Sequence, residues 1–484
     1  MLKPAAVFSD HMVLQRERPV AVFGEADAPV TATLGEVRAE ARPAQGRFKV
    51  MLPPMPAGGP FELTLACGGE TVTFTDVMIG EVWLCGGQSN MEFILRNGLD
   101  GAAEAASASD GLLRFYTVSE EADIDPDMLL RERATRWKPL APGTCGDVSA
   151  VAYYAGRRLR EALDVPVGML ICCVGGTEIS NWIPRDGLVA LPEGRAALAE
   201  FDRQAEGVDD AAFARDNAAY QAKVDKWCRD ADALREKHVN LRADAIVAQI
   251  GDFPWPPPVG RGMMRRPGNL WRTMTARITP YGARGLFWYQ GETDAWHPGP
   301  YPALMKAMID QWRRGFENDS LCVVAAQLPN FGADPQVENW PAIRAAQRAV
   351  CDGERGCALA CLLDCGETGD IHPWDKREPG RRMANLALKH AYGRDIDAEA
   401  PRLVSAAREG GAVRLTFDGK LAEIAGDMRS LTVGGHPAAA RVADGELLVE
   451  APAPARIAYA QENDPAACLF GENGLPAFPF ETEA

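Results

Sequence analysis

Residues 80–93 read Gly-Glu-Val-Trp-Leu-Cys-Gly-Gly-Gln-Ser-Asn-Met-Glu-Phe, and this stretch is the most informative in the chain. Its apolar run, Val82 to Cys85, is typical of a buried strand. Two glycines then end the regular structure, and Ser89 follows at the start of a helix-compatible segment. A hydroxyl at such a turn projects from a sheet edge beside free backbone N–H groups, which favour developing negative charge. Ser89 is therefore a candidate nucleophile, although a serine here could also simply cap the helix.

A serine nucleophile needs a base, and His372 is the best placed of the six histidines. It lies in Gly-Asp-Ile-His-Pro-Trp-Asp-Lys, residues 369–376, with Asp370 two positions before it. The apolar run 358–363 predicts a strand before this loop, and residues 381–390 predict a helix after it. An α/β hydrolytic enzyme places its histidine base and the orienting carboxylate on such a loop. The alternative is an ordinary loop histidine beside an aspartate.

Two further apolar runs end in glycine and polar residues. Residues 167–177 finish in Val-Gly-Gly-Thr, and residues 285–294 finish in Gln-Gly-Glu-Thr-Asp. In parallel α/β sheets the carboxyl ends of the strands line one crevice, where ligands bind. Backbone N–H groups and a side-chain amide can stabilise an oxyanion there. We predict that the donors are the N–H groups of Ser89 and of Gly175 or Gly176, together with the side chain of Gln290.

Length, composition and charge limit the class of protein. A chain of 484 residues predicts two or three domains, and its 47% apolar and 24% charged residues are typical of a soluble protein. The formal charge of −16 argues against nucleic acid or an anionic membrane as a partner, because both would repel it. The start of the sequence lacks the apolar segment of a signal peptide. We expect a cytoplasmic protein, or a periplasmic or secreted one if a signal peptide has been removed. The sequence leaves the oligomeric state open.

The twelve cysteines do not indicate a metal site. The one cluster, at positions 351, 357, 361 and 365, has spacings of 6, 4 and 4. Common zinc folds use paired Cys-x-x-Cys motifs instead. Several other cysteines lie in apolar runs, where free cysteine behaves as a small buried residue. We therefore expect reduced thiols and no metal or organic cofactor.

The pattern of apolar residues divides the chain into three parts. Residues 1–76 alternate apolar and polar positions between Gly and Pro turns, which predicts a small antiparallel β domain. Residues 77–400 follow the strand-then-helix rhythm of an α/β domain. A charged, helix-favouring insertion interrupts it at about 186–270 and ends in a proline-rich tract at 253–258. Residues 401–484 again alternate apolar and polar positions, which predicts a second β module.

The segments described above resemble the motif blocks of the SGNH (GDSL-like) hydrolases. The resemblance is specifically to the sialate O-acetylesterase-like branch of the carbohydrate acetylesterases. The matching blocks are Gly-Gln-Ser-Asn-Met at 87–91, Gln-Gly-Glu at 290–292 and Ile-His-Pro at 371–373. Residues 7–15 and 474–480 also resemble the two ends of that branch, so the similarity spans essentially the whole chain. It implies a three-layer αβα SGNH-type core with flanking β-sandwich-like modules.

The resemblance also implies an activity and a set of catalytic residues. It implies a carboxylic ester hydrolase that removes O-acetyl groups from a carbohydrate, similar to a sialate 9-O-acetylesterase, with Ser89 as nucleophile and His372 as base. The family pattern puts the triad aspartate three residues before the histidine, and that position is Gly369 here. Asp370 is the predicted substitute, while Asp364 or a backbone carbonyl are alternatives for orienting the imidazole.

The sequence leaves alternatives for the substrate contacts and for the function. The residues predicted to bind sugar are Trp182, Glu292, Trp296 and Trp374. Core packing is the alternative interpretation of each aromatic residue, and Glu292 with Asp294 could instead form a glycosidase carboxylate pair. The acetyl group could sit on xylan or xyloglucan oligosaccharides rather than on sialic acid. A carbohydrate-binding protein with a decayed hydrolase core is the rival from another class.

Overall fold

Short strands separated by turns form the first part of the chain, and a long strand leads out of it. The computed structural model describes residues 1–238 and 240–483. The first strands are β1 Leu2–Pro4, β2 Val13–Gln15, β3 Val20–Ala26, β4 Val30–Leu34, β5 Val37–Ala41, β6 Arg47–Leu52, β7 Gly58–Cys67 and β8 Glu70–Gly87. Strands β1, β3 and β6 form one antiparallel sheet, and β5, β4, β7 and the start of β8 form antiparallel pairs in another. Alternating residues of β6 are buried, as the period-two pattern predicts.

The end of β8 belongs to a central, mainly parallel sheet. The other strands of this sheet are β9 Asp110–Thr117, β10 Lys138–Leu140, β11 Val167–Cys173, β12 Gly285–Tyr289, β13 Cys322–Ala326 and β14 Cys357–Ala360. Their spatial order is β10-β9-β11-β8-β12-β13-β14, and only the β9–β10 pair is antiparallel. Strands β11, β12 and β13 are buried along their whole length, because a parallel sheet is covered on both faces. The predicted α/β class is confirmed.

Helices follow the strands of the central sheet and also fill the predicted insertion. The helices are α1 Ser89–Glu92, α2 Gly101–Ser107, α3 Pro126–Ala134, α4 Ala150–Leu163, α5 Arg185–Ala190, α6 Pro192–Gln204, α7 Asp210–Lys237, α8 Ala243–Ile250, α9 Ala276–Ile278, α10 Tyr301–Gly315, α11 Trp340–Gly353 and α12 Arg377–Tyr392. Helices α5 to α8 lie within or at the edge of residues 186–270. No helix among the described residues is both long enough and apolar enough to span a membrane.

Aromatic contacts show that helices cover both faces of the central sheet. On one face Trp83 stacks on Phe287 at 4.4 Å between ring centroids, and its Nε1 donates to the hydroxyl of Tyr392 in α12. Trp288 is the next residue after Phe287 in β12, so its side chain points to the opposite face. There its ring lies 5.9 Å from that of Trp312 in α10. At least one helix therefore packs on each face of the sheet.

Strand β8 links the N-terminal module to the central sheet without a break. It runs through the predicted boundary between residues 76 and 77. The fully buried carboxylate of Glu81, in the middle of this strand, accepts hydrogen bonds from Arg16 Nε at 2.6 Å and Arg284 Nε at 3.0 Å. Arg16 follows β2 and Arg284 precedes β12, so this ion pair joins the two modules. The domain boundaries themselves stay predictions.

The last part of the chain forms small antiparallel sheets that pack on the α/β core. Its strands are β15 Leu403–Glu409, β16 Ala412–Phe417, β17 Leu421–Ile424, β18 Leu431–Val433, β19 His436–Pro437, β20 Ala440–Ala443, β21 Glu446–Glu450, β22 Arg456–Tyr459, β23 Leu469–Gly471 and β24 Phe480–Glu483. The buried guanidinium of Arg344 in α11 donates to the carbonyl oxygens of Glu462 and Asn463 at 2.8 and 2.7 Å. These bonds fix the C-terminal module to the core.

Candidate active site

The loops that follow four parallel strands meet at one edge of the central sheet. Ser89 follows β8, Gly175 follows β11, Gln290 follows β12, and His372 lies in the loop between β14 and α12. The carboxyl ends of parallel strands share an edge, so the four motif segments converge there. An added Cβ on Gly175 would lie 3.3 Å from Cβ of Ser89, which shows how closely the β8 and β11 loops approach.

The serine and histidine singled out in the sequence are in direct contact. His372 Nε2 lies 2.8 Å from Ser89 Oγ. Both residues are partly exposed, so a substrate can reach them. Ser89 is the first residue of α1, and Gln88 occupies the capping position without a side-chain cap bond. The backbone N–H of a first helical residue has no partner within the helix, so it remains free for a ligand.

Close packing of backbones fixes the turn that carries Ser89. Gly87 has a φ of 137°, and any side chain there would collide with the carbonyl oxygen of Tyr289 at the end of β12. Gln88 donates its backbone N–H to that same oxygen at 3.0 Å. Its side-chain oxygen also accepts from the N–H groups of Gly291 and Thr293. The nucleophile turn is thus held against the Gln-Gly-Glu loop.

Asp370 contacts the backbone of His372 and not its ring. Its Oδ1 accepts a hydrogen bond from the His372 backbone N–H at 2.8 Å. The alternative carboxylate, Asp364, is engaged by Arg382 through bonds of 2.5 and 2.8 Å. Within residues 1–238 and 240–483, no side chain forms a hydrogen bond with His372 Nδ1. The predicted triad geometry, with Asp370 on the imidazole, is therefore not the geometry of this site.

This contact changes the expected result of replacing Asp370. In Asp370→Asn the amide oxygen can still accept the backbone N–H of His372, so we expect kcat to stay within about tenfold of wild type. A triad aspartate would instead cost about 10⁴-fold, because the amide favours the wrong tautomer of the base. The measurement is kcat on an acetyl ester, with thermal unfolding to check the fold. A loss of about 10³-fold or more in a folded variant would restore Asp370 as the orienting acid.

Gln290 does not fit the predicted role in the oxyanion hole. Its side chain is fully buried, and Nε2 donates to the carbonyl oxygen of Thr177 at 3.0 Å and to Asp294 Oδ2 at 2.5 Å. Both amide hydrogens are used inside the protein, so neither is available to a substrate. The N–H groups of Ser89 and Gly176 remain as the candidate donors, because the N–H of Gly175 donates to the buried carboxylate of Glu92.

Glu292 lies inside the protein beside Asn90 and does not face a substrate cleft. Its Oε1 accepts a hydrogen bond from Asn90 Nδ2 at 2.6 Å, and its side chain is buried. Burial raises the pKa of Glu292, although the bond from Asn90 and the charge of Lys376 oppose the rise. Asp294 points elsewhere, toward Gln290 and the N–H of Ile179. Neither the sugar-binding role of Glu292 nor a Glu292–Asp294 glycosidase pair fits this arrangement.

The three predicted aromatic contacts have different surroundings. Trp182 is fully buried against Trp288, at 6.1 Å between ring centroids, so it is a core residue. Trp374 is partly buried, and the guanidinium of Arg242 lies 5.3 Å from its ring centroid. Trp296 is 55% exposed at the end of a 3₁₀ turn, Thr293–Trp296. Of the three, Trp296 best keeps an open aromatic face.

A further tryptophan near the nucleophile was not among the predicted contacts. Trp255 belongs to the proline-rich tract of the insertion and is 52% exposed. A Cβ on Gly176 would lie 2.5 Å from its ring, so the ring rests directly on the Gly175–Gly176 turn. Arg265 donates its Nε to the Gly175 carbonyl at 2.7 Å, and its guanidinium lies 5.9 Å from the Trp255 ring centroid. An aromatic residue set between prolines in an insertion was the available signal.

Two carboxyl groups also lie beside this turn. Glu92 is one helical turn after Ser89, and an added Cβ on Gly175 would lie 2.7 Å from its Oε2. Burial raises the pKa of Glu92, and burial together with the Glu92 charge raises the pKa of Glu120 to about 8. The charge of Arg265 opposes both increases. The i, i+3 spacing of Ser89 and Glu92 could have indicated this proximity from the sequence.

All twelve cysteines are free thiols, most of them buried. Across the part of the chain that the structure describes, no three His, Cys, Asp or Glu residues are grouped to hold a metal ion.

The comparisons with known proteins agree on the class of this protein. Residues 260–373 match the family described as carbohydrate esterase, sialic acid-specific acetylesterase. The chain is 27% identical over 459 residues to mouse sialate O-acetylesterase, covering 86% of this chain and 78% of the mouse protein. It is 25% identical over 460 residues to the human sialate O-acetylesterase, covering 85% and 76% of the two chains. The crystal structure of a carbohydrate acetylesterase from Xanthomonas citri is 26% identical, with a TM-score of 0.76 over 99% of both chains.

These matches define the class first: the chain is a carboxylic ester hydrolase of the carbohydrate esterase type. Within that class, the predicted resemblance to the sialate O-acetylesterase-like carbohydrate acetylesterases is confirmed.

Proposed function

We propose that this protein removes O-acetyl groups from a carbohydrate, with Ser89 as the nucleophile and His372 as the general base. The observation that carries the proposal is the 2.8 Å contact between His372 Nε2 and Ser89 Oγ, at the edge where four motif loops meet. The similarity to sialate O-acetylesterases and to a bacterial carbohydrate acetylesterase supports it. The order of the central sheet and the position of Ser89 after β8 further support an SGNH-type core.

The reaction proceeds by acyl transfer in two steps. His372 Nε2 takes the proton of the Ser89 hydroxyl while Oγ attacks the acetyl carbonyl carbon. The N–H groups of Ser89 and Gly176 stabilise the oxyanion, and each such donor contributes roughly 3 kcal/mol to lowering the barrier. The protonated His372 then gives its proton to the departing sugar oxygen. A water molecule, deprotonated by His372, attacks the acetyl–enzyme, and His372 returns the proton to Ser89 Oγ as the acetyl–oxygen bond breaks and acetate leaves.

The site argues against a sugar-binding protein with a decayed core. A decayed site would have no reason to keep a serine and a histidine aligned at hydrogen-bond distance at the carboxyl ends of the strands. An acetate-release screen distinguishes the remaining substrates: O-acetylated sialic acids, acetylated xylan oligosaccharides and acetylated xyloglucan oligosaccharides. We expect acetate release from at least one of them by the wild type and none by Ser89→Ala. Sugar binding without acetate release from any substrate would favour the binding-protein alternative.

The acid limb of the pH–rate profile should lie well below that of a free imidazole. Burial, aided by the positive charge of Lys376, lowers the pKa of His372 from its usual 6.5 to about 4. Only the neutral imidazole can accept the serine proton, so activity should persist through pH 5 to 6 and fall as the pH approaches 4. The measurement is kcat/KM for acetate release between pH 3.5 and 8. A limb centred near 6.5 would contradict this environment for the base.

We further propose that Trp255 is the platform for the sugar ring, because it lies on the turn beside Ser89 and keeps half of its surface open. Trp255→Ala should raise KM for the acetylated sugar by about tenfold, equivalent to ~1.4 kcal/mol of binding. Ethyl acetate is too small to span the platform, so its kcat/KM should not change. Trp296→Ala is the matched variant, since Trp296 is equally exposed. A rise in KM for Trp296→Ala alone would assign the platform to that residue.

A further inference from the structure

A buried lysine contacts the nucleophile turn and the end of β12 from the base loop. Lys376 is only 1% exposed, and it lies in the same loop as His372, just before α12. Its Nζ donates to Asn90 Oδ1 at 2.5 Å. The same ammonium lies 4.9 Å from the ring centroid of Phe93, at the end of α1, and 5.9 Å from that of Tyr289, the last residue of β12. This side chain therefore joins its own loop to two other segments that meet at the site, the nucleophile segment and the end of β12.

Asn90 connects the neighbours of the two reacting residues. It follows Ser89 directly, and its Nδ2 donates to the carbonyl oxygen of Ile371, which precedes His372, at 3.0 Å. The second Nδ2 hydrogen is donated to Glu292 Oε1 at 2.6 Å. The oxygen of the same amide accepts from Lys376. All hydrogen-bonding groups of the Asn90 side chain are thus used, so its orientation is fixed.

Stability does not account for this lysine. A buried cation loses its hydration, and a buried ion pair is often no more stable than an apolar pair of the same volume. Lys376 also lies at the N-terminus of α12, where the helix dipole disfavours positive charge. Burial lowers its pKa to about 8, although Glu292, Asp370 and Glu367 oppose the decrease. Departures from the rules of stability are expected mainly at functional sites.

We propose that Lys376, acting through Asn90, is a positioning residue that holds the loop of His372 against Ser89. The positive charge of its ammonium also disfavours protonation of the imidazole. This inference relies on the proposed function only for the roles of Ser89 and His372. It explains how the base is held although no carboxylate of the described residues forms a hydrogen bond with its ring. The charged groups of the histidine loop are Asp364, Glu367, Asp370, Asp375 and Lys376, with the thiol of Cys365, and Glu292 after β12 and Arg242 from the insertion lie beside it.

The direct test is Lys376→Met, which removes the charge and keeps most of the side-chain length. Without the ammonium the protonated imidazole is less disfavoured, so the acid limb of kcat/KM should move to higher pH by about one unit. On the plateau kcat should fall about tenfold or more with KM nearly unchanged, because the substrate does not touch the lysine. Lys389→Met is the matched control. It removes the same charge from α12, where Lys389 pairs with Glu399 at 3.6 Å, and it should keep the wild-type profile.

A second variant distinguishes a loss of function from a loss of folding. Lys376→Met leaves Glu292 as an unpaired buried carboxylate, which alone can unfold a protein. The double variant Lys376→Met/Glu292→Gln removes both charges and keeps an acceptor for Asn90. It should fold and show the same upward shift of the limb. An unchanged limb in either folded variant would overturn the proposal, and so would failure of both variants to fold, since the network would then serve stability alone.

NMR titration of His372 in the wild type and in the same variants measures the protonation of the imidazole without requiring turnover. If the wild type proved inactive on every acetyl ester, the proposed function would fail, while the titration would still test the effect of Lys376. A different result would overturn only the role of Lys376. In that case wild-type activity depends on Ser89, but His372 titrates in the folded Lys376 variants as it does in the wild type.

Discussion

Ser89→Ala should lower kcat for acetate release by about four to six orders of magnitude while leaving the fold intact. The expected size follows from the loss of the hydroxyl that contacts the base, at 2.8 Å from His372 Nε2. The capping position of α1 is held by Gln88 and not by Ser89, so removal of the Ser89 hydroxyl should cost little stability. The measurement is single-turnover and steady-state acetate release, with thermal unfolding of both proteins. More than a tenth of wild-type kcat in the alanine variant would exclude Ser89 as the nucleophile.

A capping serine in the neighbouring helix provides the control. Ser149 caps α4, and its Oγ accepts from the N–H of Ala152 at 3.1 Å. Ser149→Ala should therefore lower the free energy of unfolding by about 1 kcal/mol and leave kcat near the wild-type value. Opposite responses of the two variants would separate a nucleophile from a structural serine.

The sequence predicted the meeting of Ser89 and His372 because strand direction alone determines it. Each apolar run ends in a loop, and parallel strands bring the loops to the same edge of the sheet. The alternation in the N-terminal module and the helix-favouring composition of the insertion were likewise local signals. Such features depend on the period of apolar residues and on glycine positions, which the sequence displays directly.

The predictions that were wrong concern the direction in which individual side chains point. Gln290 follows a strand at the right edge, but its amide hydrogens go to Thr177 and Asp294. Trp182 follows a glycine-containing loop, yet the short turn Ile179–Trp182 folds it back onto Trp288. Asp370 has the spacing of an orienting acid, but its carboxylate binds the backbone N–H two residues ahead. In each case a nearby polar or apolar partner, which spacing does not reveal, determines the contact.

Trp255 was missed for a related reason. It lies about 80 residues from the Gly175–Gly176 turn in the sequence, and the sequence does not show which residue of the insertion meets that turn. Only the fold of the insertion on the core brings the exposed Trp255 ring beside Ser89.

The second large effect is expected for His372→Ala, which should lower kcat about as much as Ser89→Ala does. The two residues act as one unit, because the serine hydroxyl is a poor nucleophile without the base and the base has no other proton to take. The double variant Ser89→Ala/His372→Ala should then be no slower than either single variant, as groups that act together are strongly non-additive.

The matched control for this prediction is His390→Ala in α12. His390 Nε2 also contacts a partner, Glu399 Oε1 at 2.6 Å, but it lies away from the motif loops. It should retain near wild-type kcat. Additive losses in the double variant would mean that Ser89 and His372 act in separate steps, and the acyl-transfer mechanism would have to be abandoned. Non-additivity together with an inert His390→Ala would instead tie the whole rate enhancement from these side chains to the single contact between Nε2 and Oγ.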